Sequence, residues 1–266
     1  MCNIIKESVI FSNSSFVNIF ILDFNMPTLL DMIFPKSCTI CSKYGEYLCD
    51  RCKKLFKKSI PECYICRRIS GGYCTHEKCM RENSLDSMIV LWEYNKLSST
   101  LLKKYKYGLA TDVKDTLELL IKERMEEIYN IEYNKKAFCI PIPVSYRRLR
   151  ERGFNQTDSI GRCIADFLNI KFSKNLVYRR DGSDVHQSLL DRDERFENKI
   201  DFYINSYELF EKIEEIVIVD DVITTGSTVE QVARVIKSVR RDIKVKGLCL
   251  FRGKPFYKKG EVKTSP

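Results

Sequence analysis

Apolar residues recur along this chain at two different spacings, and each spacing predicts a different element. Val113, Leu117 and Leu120 recur every three or four residues, as on one face of a helix, whereas Ile216–Val219 is a continuous β-branched run typical of a buried strand. The predicted strands are Met88–Trp92, Ala137–Pro141, Ile216–Val219 and Val245–Phe251, and the predicted helices run through Leu101, Leu102 and Tyr105, through Val113, Leu117, Leu120 and Ile121, over Thr157–Leu168 and over Ser227–Val239.

From residue 137 onward, strands and helices alternate. Strand Ala137–Pro141 is followed by helix Thr157–Leu168, and strand Ile216–Val219 is followed by helix Ser227–Val239, with a polar stretch, Arg179–Lys199, between the two pairs. Strands that are joined by helical crossovers lie parallel. The alternation therefore predicts an α/β domain with a parallel sheet flanked by helices.

The first third of the chain has a different character. Residues 1–27 carry no motif, a short apolar helix is predicted from Leu29 to Phe34, and Cys38–Cys79 is dense in Cys, Lys and Arg but poor in apolar periodicity. Such a segment needs a metal in place of a hydrophobic core, and metal loss should unfold it. We predict an N-terminal extension (residues 1–27), a small cysteine-rich zinc-binding module (28–84), the α/β domain (85–254) and a C-terminal tail (255–266).

Eight of the 12 cysteines form four closely spaced pairs in this module. Eight thiolates suffice for two tetrahedral zinc sites, and structural zinc is favoured over packing cysteines or an iron–sulfur cluster. The spacing leaves sequential and cross-braced pairing open, His76 could replace Cys74 or Cys79, and a single zinc would favour the first four cysteines. The predicted ligands are Cys38, Cys41, Cys49, Cys52, Cys63, Cys66, Cys74 and Cys79.

Composition places the chain among soluble globular proteins, since 44% of its 266 residues are hydrophobic and 30% are charged. Paired cysteines, with Cys139, Cys163 and Cys249 in apolar segments, fit a reducing compartment better than a disulfide scaffold. The apolar run Phe16–Phe24 is shorter than the roughly 20 residues of a bilayer span, and the features of a signal peptide are missing. We expect a cytoplasmic protein without a transmembrane segment. Its net charge of +9 favours polyanionic partners, either phosphate substrates or nucleic acid.

The segment from Glu215 to Thr228 reads as a buried strand, an acidic pair, a small polar loop and a helix. Ligands of open α/β sheets bind beyond the carboxyl ends of such strands, and a helix N-terminus favours a phosphate. Paired carboxylates there would accept hydrogen bonds from ribose hydroxyls and favour a developing oxocarbenium, whereas a plain capping box, Ser227-x-x-Glu230, is the alternative. The predicted catalytic residues are Asp220 and Asp221, and the predicted phosphate-binding residues are Thr224, Thr225, Gly226, Ser227 and Thr228, with Gly226 permitting the tight turn.

This segment resembles the phosphoribosyl pyrophosphate (PRPP) signature of type I phosphoribosyltransferases. Other segments resemble the competence protein F (ComF) family, and the resemblance covers about residues 28–254. It implies a type I phosphoribosyltransferase fold, Mg²⁺ bound together with PRPP, and a role in natural competence, handling single-stranded DNA with the uptake machinery at the inner membrane face. The segments that carry it are Pro141–Val144, Arg147–Gln156, Lys106–Gly108 and Gln187–Leu190 with Arg192, Arg195 and Asn198.

Four arginines, Arg147, Arg148, Arg150 and Arg152, follow strand Ala137–Pro141 within six residues. Guanidinium groups bind phosphate oxygens bidentately, and in the fold that the resemblance implies, the loop after this strand contacts pyrophosphate. We therefore predict pyrophosphate binding by these arginines, with a solvated basic face or a nucleic-acid patch as the alternatives. The stretch Arg179–Gln187 resembles the superfamily's closing loop, in which His186 would be a general base or a surface residue without a role.

Three functions are compatible with these features. One is phosphoribosyl transfer from PRPP. Another is single-stranded DNA binding, in which Lys53, Lys54, Lys57 and Lys58 grip phosphates while Phe56 and Tyr64 stack on bases, with a solvated lysine face as the alternative. The third is a regulatory sensor of PRPP or a nucleotide that reuses the same loop. A glutaminase role for Cys2 is rejected, because 35 residues between Cys2 and Cys38 cannot hold a glutaminase domain.

Overall fold

The computed structural model of this chain describes residues 35–107, 111–128, 134, 136–180, 201–204 and 208–254. The chain divides into two compact units, Met1–Pro35 and Lys36–Pro266, and all but one of the described residues belong to the second. The strands are β1 (Ser87–Glu93), β2 (Ala137–Pro141), β3 (Lys171–Phe172), β4 (Val177–Arg180), β5 (Asp201–Ile204), β6 (Glu215–Ile223) and β7 (Lys244–Arg252), and the helices are α1 (Asp50–Lys53), α2 (Lys96–Tyr107), α3 (Thr111–Glu127), α4 (Tyr146–Arg152), α5 (Gln156–Leu168) and α6 (Ser227–Val239).

Within the described residues, the central sheet has five parallel strands in the order β1-β7-β6-β2-β3. Strand β6 lies at its centre, where Val219 pairs with Pro141 of β2 on one side and with Leu248 of β7 on the other. Its run of β-branched residues suits this place, because both faces of a parallel sheet are covered. Strands β4 and β5 form a separate antiparallel pair.

Helices cover both faces of the sheet. One apolar core contains residues of α2, α3 and α5 together with Val217 and Val219, and the other contains residues of α6 together with Ile216 and Ile218. The predicted apolar stripe of α6, which includes Val229, is its buried face. The predicted fold class is therefore confirmed: a parallel sheet flanked by helices follows a cysteine-rich N-terminal module.

The cysteine-rich module packs directly on this α/β domain. The backbone N–H of Ser59 donates to the carbonyl of Leu91 in β1 over 3.1 Å. Phe56 is buried with Trp92 and Phe251, at ring-centroid distances of 6.2 and 6.3 Å. The module thus gains apolar packing in addition to its cysteines, and the predicted domain boundaries stay a prediction.

The structure alters some predicted element bounds. The arginine-rich segment after β2 is the short helix α4 rather than a loop, because Ser145 caps its first turn and Gly153 ends it in a left-handed conformation at φ 76°. Arg179 and Arg180 belong to β4 rather than to a closing loop. No helix among the described residues is both long and apolar enough to cross a bilayer. Outside the described residues lie the predicted helix Leu29–Phe34, the rest of the closing loop with His186, and the family segments Gln187–Leu190, Arg192, Arg195 and Asn198.

Candidate functional site

The predicted phosphate-binding residues, Thr224–Thr228, lie at the carboxyl end of the central strand. We call this segment the phosphate loop. The sequence predicted that strand β6 ends at Val219. It continues instead to Ile223, because its backbone goes on pairing with β7. Asp220 and Asp221 therefore lie inside the strand rather than beyond it. Hydrophobicity marked the buried part of the strand, whereas backbone pairing determines where it ends.

The turn from this strand into α6 requires glycine. Gly226 is the residue before the first turn of α6, with φ of 88°, and a Cβ atom there would lie 3.1 Å from two ring carbons of Tyr64. The N-cap is Gly226 rather than Ser227, so the alternative capping box, Ser227-x-x-Glu230, does not form. Glu230 instead accepts a hydrogen bond from the Tyr64 hydroxyl over 2.8 Å. The N-cap thus supplies no side-chain acceptor, although the Thr225 hydroxyl accepts from the N–H of Ser227 over 3.4 Å. A helix N-terminus favours an anionic ligand.

The two aspartates have different environments. A carboxylate oxygen of Asp220 accepts a hydrogen bond from the N–H of Asp221 over 2.8 Å. Burial, followed by the neighbouring Asp221 carboxylate, raises the pKa of Asp220 well above its ordinary value. Asp221 is buried and forms an ion pair with Lys106, at the end of α2. A positive group thus already sits beside the acidic pair.

The predicted arginines divide between two places. Arg147, Arg148 and Arg150 line a cleft of about 660 Å³ together with Arg179 of β4. Arg152 turns instead toward α2, where its guanidinium lies over the ring of Tyr107 at 5.3 Å. Helix α4 follows β2, the direct neighbour of β6, so this cleft and the phosphate loop lie at the same edge of the parallel sheet.

Family-type residues after α4 brace this edge. Phe154 packs edge-on against Tyr105 of α2, with ring centroids 6.0 Å apart. The Asn155 side chain caps α5 by accepting from the N–H of Thr157, and its amide donates to the carbonyl of Ile142, next to β2. Through these contacts, Phe154 and Asn155 link α2, α5 and the end of β2 around the cleft.

Cysteine side chains of the module gather into two groups that could hold a metal ion. The first group is formed by the first two pairs of cysteines, and the second by the later ones, so the grouping is sequential along the chain. In each group the ligand atoms lie within 4.8 Å of one another. The first group is Cys38, Cys41, Cys49 and Cys52, and the second is Cys63, Cys66, His76 and Cys79.

His76 takes the place predicted for Cys74 in the second group. Its Nδ1 lies 3.2 Å from the Sγ of Cys66, and its Nε2 is 3.2 Å from the carbonyl oxygen of Ile69. Such an outer hydrogen bond orients a ligating imidazole. Cys74 instead pairs through its backbone with Ser87, at the start of β1.

Both groups start with the same backbone turn, which we call a knuckle (residues 38–43 and 63–68). Ser42 and Arg67 occupy equivalent positions, each at φ 61°, and donate backbone N–H bonds of 2.8 Å to the carbonyls of Cys38 and Cys63. Burial opposes ionisation of both of these cysteines, but backbone N–H donors outweigh it. The pKa of Cys38 is lowered to about 6 and that of Cys63 is also lowered, which favours the thiolate that binds metal.

The predicted lysine patch for DNA is not supported. Phe56 and Tyr64 are 5% and 2% exposed, so neither ring is available to stack on a base. Three of the lysines form ion pairs with glutamates of the α/β domain: Lys53 with Glu123, Lys57 with Glu93 and Lys58 with Glu127. These lysines attach the module to the domain.

Three residues contact the candidate site in ways that the sequence did not indicate. Lys106 belongs to a family-type motif, but nothing in the sequence connected it with Asp221. Tyr64 and Arg67 belong to the second knuckle, between and after its cysteines, and both contact the phosphate loop. Their positions in the knuckle were the only available signal.

No family model matches the chain. Among curated proteins, it is 28% identical over 207 residues to competence protein F of Haemophilus influenzae, covering 76% of this chain and 89% of the relative. It is 26% identical to the DNA utilization protein YhgH of Escherichia coli (74% and 83% covered) and 24% identical to competence protein ComFC of Bacillus subtilis (81% and 94% covered).

Two solved structures show a weaker likeness. A purine phosphoribosyltransferase from Pyrococcus horikoshii is 16% identical, with 56% of this chain and 92% of that chain covered. An adenine phosphoribosyltransferase from Trypanosoma brucei is 13% identical, with 81% and 87% covered. The TM-score is 0.28 in both cases, too low to support a functional inference.

Proposed function

We propose that this chain, whose curated relatives support its assignment to the ComF family, binds the ribose 5-phosphate part of PRPP at the loop between β6 and α6. The main support is the amino end of α6, where the N-cap Gly226 has no side chain, a few residues after Asp220 and Asp221. Phosphate needs N–H donors and positive potential, and ribose hydroxyls need acceptors. The two requirements are met within nine residues of one strand–loop–helix segment.

Each part of the loop has its own task in this proposal. The amides and hydroxyls of Thr224–Thr228 would hold the 5-phosphate, and Asp220 and Asp221 would accept from the ribose hydroxyls. Mg²⁺ prefers oxygen ligands and binds proteins through one or two carboxylates plus substrate phosphates, so the acidic pair suits it. Bound there, Mg²⁺ would neutralise charge on the pyrophosphate.

The arginine cleft would take the pyrophosphate end. Arg147, Arg148 and Arg150 offer forked donors in a cleft at the same sheet edge as the loop. Bidentate binding of phosphate oxygens favours arginine over lysine. Arg152, which lies over Tyr107, would act by fixing α4 against α2.

PRPP binding is testable by calorimetry with Mg²⁺ present. The wild type should bind PRPP, and the double substitution Asp220→Asn with Asp221→Asn should abolish binding while the circular dichroism spectrum stays unchanged. Asp242→Asn is the matched control, because Asp242 is exposed and pairs with Arg240 instead. Unchanged PRPP affinity in the double variant would refute the site.

Phosphoribosyl transfer is the enzymatic form of the proposal. Turnover would release pyrophosphate from PRPP, so a coupled pyrophosphate assay with candidate acceptors separates an enzyme from a PRPP or nucleotide sensor. Binding without release in any condition would favour the sensor.

We propose zinc as the metal of both cysteine groups. Four thiolates, or three thiolates and one imidazole, are typical structural zinc donor sets, and the two groups supply one of each. Such zinc would hold the module together, because each group joins ligands from separate turns of the chain.

A second candidate function, single-stranded DNA binding, is favoured by the surface around the arginine cleft. Tyr146 lines the cleft and is 63% exposed, with the Arg150 guanidinium 5.9 Å from its ring. On the separate β4–β5 pair, the rings of Tyr178 and Tyr203 stack at 5.6 Å. Arginines that neutralise phosphates beside exposed aromatic rings are typical of such surfaces. The relatives named for competence and DNA utilization support a role in DNA uptake.

A further inference from the structure

The second knuckle, residues 63–68, differs from the first in what its side chains touch. The guanidinium of Arg67 donates to the carbonyls of Thr224 and Gly253, at 3.1 Å each. Thr224 opens the phosphate loop, and Gly253 follows β7. One side chain of the knuckle therefore links the start of the loop to the end of the neighbouring strand. Thr224 is 157 residues from Arg67 in the sequence.

Tyr64 also contacts this loop. Two of its ring carbons lie 3.1 Å from the position that a Cβ of Gly226 would take, and its hydroxyl donates to Glu230 in the first turn of α6 over 2.8 Å. The same hydroxyl accepts from the N–H of Leu85 over 3.2 Å. Tyr64 thus contacts both the turn glycine and the helix that follows it.

A buried ion pair anchors the knuckle. Arg252, the last residue of β7, donates to a carboxylate oxygen of Glu62 over 2.8 Å and to the carbonyl of Tyr64 over 3.0 Å. The side chain of Arg252 is 5% exposed and that of Glu62 is 15% exposed. Arg252 therefore holds the residues on either side of Cys63, Glu62 and Tyr64, against the end of β7.

We propose that the second knuckle is a positioning element of the phosphate loop, so that metal bound by Cys63, Cys66, His76 and Cys79 controls how tightly the loop holds its phosphate ligand. This inference rests on the proposed function for the identity of the ligand, but not for the contact itself. Arg67 and Tyr64 are positioning residues in this role, since they touch the loop's backbone and turn rather than the ligand.

Arg67 lies in the backbone turn that carries two of the metal ligands, Cys63 and Cys66. Its φ of 61° is a left-handed conformation that a residue with a side chain rarely adopts. The turn that contains it is closed by bonds to Cys63, whose N–H also donates to the carbonyl of Arg68 over 2.9 Å. Metal bound by Cys63 and Cys66 would fix both ends of this turn, so its loss should let the turn move and weaken the hydrogen bond from Arg67 to Thr224.

The first knuckle provides an internal control. Its equivalent of Arg67 is Ser42, too short to reach another element, and its equivalent of Tyr64 is Thr39, whose carbonyl accepts from Lys104 of α2. Its group contacts helices α2 and α3 rather than the phosphate loop. Metal at the first group should therefore leave the loop unaffected.

The test compares three variants of the full chain: Cys66→Ser and Arg67→Ser in the second knuckle, and Cys41→Ser in the first. Cys66 and Cys41 are both exposed and equivalent in position. Hydrogen exchange of the Thr224–Thr228 amides is measured together with zinc content and PRPP affinity. Exchange should rise in Cys66→Ser and Arg67→Ser but not in Cys41→Ser. PRPP affinity should fall about tenfold in the first two, the effect of losing one hydrogen bond to a charged group.

Two outcomes separate this inference from the proposed function. Wild-type exchange in Arg67→Ser, which keeps every metal ligand, would overturn the inference even if Cys66→Ser fails to fold. If the loop amides respond as expected but the wild type does not bind PRPP, the coupling stands and the ligand assignment fails. Equal loosening of the loop by Cys41→Ser would reduce the effect to general destabilisation and would also overturn the inference.

Discussion

Lys106, at the end of helix α2, forms an ion pair with Asp221 in the central strand β6. Their side chains are 22% and 11% exposed, so the pair is largely withdrawn from water. A ligand that needs the Asp221 carboxylate must therefore compete with an ammonium group already in place. Lys106 balances the charge of the acidic pair when no cation is bound.

Replacing Lys106 by Gln should lower the free energy of unfolding by about 1–2 kcal/mol, because the Asp221 carboxylate then loses its ion-pair partner. The loss is moderate because the pair keeps some contact with water. Urea denaturation at pH 7 measures this. Lys57→Gln is the control, since its pair with Glu93 is exposed and should contribute less than about 1 kcal/mol. Equal decreases in the two variants would show that Lys106 does not stabilise Asp221.

The stability of the chain should depend on pH through Asp220. Burial and the Asp221 carboxylate raise the pKa of Asp220 above its ordinary value of 3.8, so the folded state prefers the protonated acid. The folded state then binds more protons than the unfolded state between the two pKa values, and the free energy of unfolding falls as pH rises through that window. Above the folded pKa the full penalty is present.

Asp220→Asn removes this penalty. The variant should gain stability relative to the wild type as pH is raised from 5 to 8, in urea titrations at each pH. Asp242→Asn is the control: hydrogen bonding from Arg240 lowers the pKa of Asp242, so both of its states are ionised in this range and no trend is expected. A constant difference between wild type and Asp220→Asn would contradict the raised pKa.

Metal analysis of the purified chain should find two zinc ions. Cys74→Ser should retain both, because its side chain is not in either group, whereas Cys79→Ser and His76→Ala should each lose one. Mass spectrometry of the metal content decides this. Loss of an ion in Cys74→Ser with retention in His76→Ala would return Cys74 to the ligand set.

Substitution of Gly226 by Ala combines backbone strain with crowding against Tyr64. It should cost about 2–4 kcal/mol of unfolding free energy, from roughly 1–2 for the left-handed conformation and the rest from overpacking. Gly153→Ala separates the two effects, since Gly153 has a similar φ of 76° but no heavy atom within 4 Å of a Cβ. It should show the strain alone, and equal costs would mean that Tyr64 moves aside freely.

Local pattern predicted the elements whose apolar residues repeat, such as α5, α6 and β7. It placed the end of β6 too early, because Asp220 and Asp221 break the hydrophobic run while their backbones go on pairing with β7. It missed α4 as a helix, because seven residues rich in arginine contain no apolar period. In both cases the deciding hydrogen bonds involve backbone or caps rather than hydrophobic side chains.

The sequence predicted the part of the site whose residues are consecutive, but not the contacts between residues that are far apart in the sequence. The segment from Asp220 to Thr228 could be recognised as one unit, but its contacts with Lys106, Arg67 and Tyr64 join residues more than 100 positions apart. Tyr64 shows the limit most clearly. Beside cysteines and near lysines it suggested an exposed base-stacking ring, whereas packing against Gly226 buries it.

Single-stranded DNA, if it binds this chain, should do so through the arginine cleft rather than through the lysines. The log–log slope of affinity against salt becomes shallower by about 0.7 for each phosphate that is no longer neutralised, so replacing Arg147, Arg148 and Arg150 by Gln should flatten it by about 1.4–2. The lower figure applies if Arg147 stays paired with Glu151. Replacing Lys53, Lys57 and Lys58 by Gln changes the net charge equally but removes ion pairs to glutamates, and should leave the slope unchanged. Fluorescence anisotropy of a labelled oligonucleotide at several salt concentrations measures both. Equal flattening would mean that net charge alone attracts DNA, and no binding even at low salt, where electrostatic attraction is strongest, would leave PRPP as the ligand to pursue.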